Sequence, residues 1–191
     1  MTERMTVTLE RGRVRLLLMC GLERQALARV LHRLEAHPFD AFSLATGAHL
    51  HACLGDPTAA QRLLERLVRQ HPERADGWFN LGYVCESLGL LSASEAAFRR
   101  AIAIDPRLDR AWYGLSLSLI AQQRLDEALL ALRKNTELQP MNPYGWYQMA
   151  RVQVDLQAPE EAEKIILHLR GFEPRVAAQL ERETGLGAVR A

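Results

Sequence analysis

The sequence predicts an all-α solenoid of stacked helix pairs, and three observations carry that prediction. Pro38, Pro72, Pro106, Pro140 and Pro174 recur at a fixed interval of 34 residues. Trp78, Trp112 and Trp146 follow the same interval. Gly21, Gly55 and Gly89 fall at one further position within it. A period of this length marks a repeat array, in which each unit buries its apolar face only by stacking on its neighbours. Phased on the prolines, the chain divides into repeats 7–40, 41–74, 75–108, 109–142 and 143–176, preceded by a flexible stretch 1–6.

Each repeat holds two amphipathic helices of roughly a dozen residues. The phased glycines end the first helix of a pair, where the chain turns through a left-handed conformation. Second helices open on recognisable caps: Asp56 before Pro57, a Ser92-x-x-Glu95 capping box, and Pro159-Glu160-Glu161 in a first turn. First helices open on Asn142-Pro143, while Asp40 and Asp76 precede apolar runs. Small residues recur where helices must approach closely. Ala26, Ala60, Ser94, Ala128 and Ala162 share one position in the second helix, and Ala48, Gly82, Ser116 and Ala150 share one in the first. Val30, Leu64, Phe98, Leu132 and Ile166 are the large residues that fill the facing holes. After the fifth repeat, residues 174–184 read as a capping helix with Val176 and Leu180 inward and Arg175, Gln179, Glu181, Arg182 and Glu183 outward, the polar terminal face such an array needs. Residues 185–191 carry too little apolar content to order themselves, and read as a flexible tail.

These residues resemble the tetratricopeptide repeat (TPR) family, whose pattern is Trp-x-x-Leu-Gly followed by Tyr, Gly, Ala, Phe, Ala and Pro. Repeat 75–108 matches with Trp78, Leu81, Gly82, Gly89, Phe98, Ala101 and Pro106, departing at Cys85 and Ser94. Repeat 109–142 keeps Trp112, Leu115, Ala128 and Pro140, and repeat 143–176 keeps Trp146, Ala162 and Pro174. Repeat 41–74 has Leu44 in the tryptophan position, and repeat 7–40 is degenerate, with Glu10 there. The resemblance covers residues 7–176. It implies a right-handed superhelix of about five helix pairs with the first helices lining a concave groove.

Composition excludes several functions. The formal net charge of +1 gives no global field for nucleic acid or a membrane surface, and basic residues are scattered rather than striped. No apolar run approaches the roughly 18 residues of a membrane span. Arg13 to Cys20 superficially fits a lipoprotein signal, but the apolar run is shorter than about 7 residues and bulky Met19 precedes the cysteine. We therefore expect a cytoplasmic protein. Arginine outnumbers lysine 22 to 2, which we read as the coding bias of a GC-rich bacterial genome. Cys20, Cys53 and Cys85 are isolated and odd in number, so reduced, buried thiols are expected. His49 and His51 point to different faces of one helix and cannot share a metal. No nucleophile, phosphate-loop or zinc-protease motif occurs. We expect neither catalysis, metal nor cofactor.

The groove positions implied by the resemblance follow helical spacing on the first helices. They are Phe42, Ala45, His49, Ala52 and Cys53 in repeat 41–74; Asp76, Phe79, Asn80, Tyr83, Glu86 and Ser87 in repeat 75–108; Arg110, Tyr113, Gly114, Leu117, Ile120 and Ala121 in repeat 109–142; and Tyr144, Tyr147, Gln148, Arg151, Val154 and Asp155 in repeat 143–176. All four tyrosines of the chain are among them. Tyrosine is enriched at interfaces, so these residues either line a peptide-binding surface or cover neighbouring helices. The carboxylate clamp of heat-shock co-chaperones is not expected: its positions hold Ala45, His49, Asn80, Arg110 and Gly114, and only Asn80 matches, with Arg110 as a substitute. The expected function is a non-catalytic protein–protein interaction scaffold that binds an extended or helical peptide, as monomer or oligomer. The alternatives are a cytoplasmic chaperone like those of type III translocators, or a TPR regulatory segment of a larger enzyme complex.

Overall fold

The structure, a computed structural model, describes residues 2–187. These fold as eleven helices with no strand among the described residues. In order they are α1 (Thr2–Met19), α2 (Glu23–Ala36), α3 (Ala41–Cys53), α4 (Pro57–Gln70), α5 (Ala75–Ser87), α6 (Leu91–Ile104), α7 (Asp109–Ala121), α8 (Leu125–Leu138), α9 (Pro143–Asp155), α10 (Pro159–Arg170) and α11 (Pro174–Thr184). The chain forms two compact units, residues 1–90 with α1 to α5 and residues 91–191 with α6 to α11. Within each unit every helix packs on the next, and in the second α11 also packs on α9.

The phased small residues make that packing possible. Ala26, Ala60, Ser94, Ala128 and Ala162 are all fully buried, and so are Val30, Leu64, Phe98, Leu132 and Ile166 beside them. The Trp and Pro periods have one physical cause. Each tryptophan ring N–H donates to the carbonyl of the proline six residues before it: Trp78 to Pro72, Trp112 to Pro106 and Trp146 to Pro140, at 2.8–2.9 Å. A proline ends the preceding helix and the indole ties the next one to it. Where Leu44 stands in the tryptophan position, Arg66 donates to the Pro38 carbonyl instead, at 2.8 Å.

Caps at Asp40, Asp56 and Asn142 form as expected, each side chain accepting from a backbone N–H of the first turn. The Ser92–Glu95 capping box does not. Helix α6 begins at Leu91, which puts Ser92 inside it, and the Glu95 carboxylate is held by Arg99, Gln122 and Arg124. Ion pairing across helices outcompetes the local cap. Asp76 likewise sits inside α5, paired with Arg74. Two cysteines correct the expectation of burial. Cys85 is buried, whereas Cys20 and Cys53 are exposed, because each lies in the last turn of its helix or just past it. Of the ends expected to be unordered, residues 1 and 188–191 lie outside the described residues. The backbone is helical from Thr2, and residues 185–187 are tied down: Arg170 donates to the Gly187 carbonyl and Leu186 packs on the core of the second unit.

Candidate functional site

In the first unit, α3 and α5 present their faces side by side over α4. Between them lies a small pocket walled by Ala45, Ala48 and Ala52 of α3, with Leu64 of α4 and Val84 of α5 beneath. Its polar rim is His49, Asn80 and Tyr83. The alanines follow helical spacing, so their short side chains on one face of α3 leave the hollow. Tyr83 stands at its mouth and is 60% exposed. Cys53 lies one turn from His49, Sγ to Nε2 3.6 Å. Phe79 and Glu86 are half-buried on α5. Burial pushes the Glu86 carboxyl above its ordinary pKa.

In the second unit the expected residues separate. Arg110, Tyr144 and Arg151 are exposed, and Tyr144 is 67% exposed at the start of α9. Tyr113 and Tyr147 are half-buried and pack against the core cluster around Leu132, Met149 and Ile166. Leu117 is half-buried too. The Tyr147 hydroxyl donates to Glu183 of α11 at 2.6 Å, which raises the phenol pKa and lowers that of the carboxyl. The Arg151 guanidinium lies 5.9 Å from the Tyr147 ring centroid. Tyr147 is therefore bound to the last helix, a contact not legible in the repeat pattern, where Glu183 reads as a solvated cap residue. Gly114 is not on an open face: it is buried where a Cβ would stand 2.4 Å from the Phe98 ring. Ala45, His49, Ala52, Asn80 and Tyr83 of its lining are expected groove positions, whereas the hollow they form with Ala48, Leu64 and Val84 is not read from the repeat pattern. The helix-position signal that could have found it is the run Ala45, Ala48, Ala52 beside Asn80 and Tyr83.

No three histidine, cysteine, aspartate or glutamate side chains are grouped to hold a metal ion among the described residues. No helix among them is long and apolar enough to cross a membrane.

Residues 46–109 match the sequence profile of the tetratricopeptide repeat. A search of curated protein sequences returned no match. Solved structures of similar fold include MamA, 19% identical over 97% of this chain and 97% of that one with a TM-score of 0.80. MamA from Desulfovibrio magneticus RS-1 is also 19% identical, over 92% and 95%, with a TM-score of 0.79. YrrB, described as a TPR protein with an unusual peptide-binding site, is 20% identical over 88% of each chain with a TM-score of 0.78. At these identities the likeness is one of fold. Residues 46–109 carry the tetratricopeptide-repeat signature, and the all-α fold is shared with the solved structures of MamA and YrrB.

Proposed function

We propose that the chain is a non-catalytic scaffold that binds a segment of another protein on its first-helix faces. The observation that carries this reading is Tyr83. Its ring is exposed at the mouth of an apolar pocket, and no hydrogen bond within the described residues uses its hydroxyl. An exposed aromatic beside a hollow lined with small apolar groups is the arrangement of an interface anchor. Asn80 and His49 supply hydrogen-bonding groups at the rim, as sparse polar groups do in pockets that orient a ligand. Similarity in fold to YrrB, itself described as peptide-binding, supports the reading. On the second unit the same proposal takes in the exposed Arg110, Tyr144 and Arg151 with the half-buried Tyr113 and Leu117, while Tyr147 reaches a partner only where α11 yields it.

The test is photocrosslinking in the source cell. A benzophenone amino acid replaces Tyr83 in one protein, Tyr144 in a second, and the exposed second-helix residue Arg133 in a third. A protein adduct from positions 83 or 144 and none from 133 is the expected result. Adducts from Arg133 alone would place the function on the second-helix surface and reject the proposal.

A further inference from the structure

Glu86 lies one turn beyond Tyr83 on the same face of α5. Three helical residues rise about 4.5 Å, so the carboxylate stands one short step from the pocket mouth. Three half-buried acids elsewhere show what a matched carboxylate has: Asp40 is held by Arg11, Arg33 and Ser43, Glu10 by Arg13 and Arg29, and Glu95 by Arg99, Gln122 and Arg124. Glu86 has no hydrogen bond or ion pair with any described residue. A carboxylate partly removed from water without a counter-charge is a cost to the free protein. A cation brought by a bound segment removes it.

Resting on the docking reading above, we infer that the segment held on this face is cationic and extended. It carries a small aliphatic side chain and, one or two residues along, a lysine or arginine. The pocket offers about 90 Å³ between alanine walls, which suits a group the size of isopropyl. The basic side chain pairs with Glu86. On its way it crosses the exposed Tyr83 ring, whose face also favours a cation. One or two residues of extended chain span about 3–7 Å, matching the step from pocket to carboxylate. An acidic segment would meet Glu86 as a like charge and be rejected.

The probe is a displayed library of random peptides selected on the full chain. Selected peptides should share a valine or another small aliphatic residue with lysine or arginine one or two positions away. Glu86→Gln should weaken them about tenfold, and Tyr83→Ala by a similar factor. Glu86→Lys should bind better once the peptide's basic residue is replaced by glutamate, a charge swap that a merely structural role would not produce. Peptides that lose binding in Tyr83→Ala, yet lack a basic residue and bind Glu86→Gln equally, would overturn the cationic partner and leave the docking face intact. Peptides indifferent to Tyr83→Ala, or a selection that yields none, would overturn the docking face and this inference with it.

Discussion

Two first-helix faces of this protein carry the same kinds of residue in different states. On α9 of the second unit, Tyr147 gives its hydroxyl to Glu183 of α11 and has Arg151 beside its ring. On α5 of the first unit, Tyr83 is exposed and Glu86 is half-buried without a counter-charge. At Tyr147 the α9 face already has an occupant from its own chain; at Tyr83 the α5 face has a pocket. The occupied face shows what satisfies such a surface: an opposite hydrogen-bonding group for the tyrosine, a charge partner, and apolar side chains beneath. What distinguishes an interface from a packed surface here is which of these three is missing, not which residue types are present.

If α11 is what closes the α9 face, loosening it should open that face alone. Leu180 of α11 is fully buried against Ile165, Ile166 and Leu169. Leu180→Ala should cost about 2–5 kcal/mol in the second unit. Amide exchange should quicken in α11 and at the α9 surface, with α3 to α5 unchanged. Exchange in α11 as slow as in the unaltered protein would mean that another contact holds the helix. The tyrosines offer a sharper contrast. Tyr147→Ala removes both the bond to α11 and part of the cover of the core, and should destabilise by about 1–2 kcal/mol. Tyr83→Ala should lie within about 0.5 kcal/mol of the unaltered protein in chemical denaturation. Equal losses would erase the distinction between an occupied and an open face.

That contrast was not legible in the sequence, whereas the scaffold around it was. The period located the crossings at Ala26, Ala60, Ser94, Ala128 and Ala162, whose burial follows position within the repeat, but not the close approach of Gly114 to Phe98. It also paired tryptophan with proline before the hydrogen bond that joins them was known. Features set by partners distant in the chain escaped. Glu95 reads as a capping residue because Ser92 is three positions away, but Arg124, far along the chain, takes its carboxylate. Gly114 and Tyr147 share a face pattern with Tyr83 and Tyr144, yet Phe98 covers Gly114 and α11 engages Tyr147. A periodic pattern specifies which way a side chain points, not what meets it there.

The turn inside each pair differs between the units in a way the period exposes. Gly21, Gly55 and Gly89 adopt positive φ in the first unit, and at the same repeat position the second unit has Gln123 and Gln157, with φ of 60° and 59°. A non-glycine residue held there costs on the order of 1 kcal/mol, part of which glycine returns through its freer unfolded chain. Gln123→Gly and Gln157→Gly should each stabilise by about 0.5 kcal/mol. A loss of stability in thermal melts would show that the glutamine side chains contribute more to the turn than the strain removes.

The smallest expected effect bears most directly on the open face. Glu86 has its pKa raised by burial, so the fold favours its protonated form relative to the unfolded chain. The stability this group allows is fully present below the ordinary glutamate pKa of about 4.3, and is lost as pH rises through the higher folded value. Glu183 has the opposite sign. Its pKa is lowered, first by the Tyr147 hydroxyl, so its contribution is present above the ordinary value and is lost as pH falls through the lower folded one. Glu86→Gln keeps the shape of the protonated acid and removes the charge. It should therefore melt with the unaltered protein in acid and slightly above it at neutral pH, by less than about 1 kcal/mol. Tyr147→Phe should instead melt lower at neutral pH, with the deficit shrinking in acid. A site that gains stability when its charge is removed, and loses peptide binding by the same change, is held in an unfavourable state for a partner's sake. If Glu86→Gln melts below the unaltered protein at neutral pH, the carboxylate has a favourable contact inside the fold, and the face is as fully occupied as that of α9.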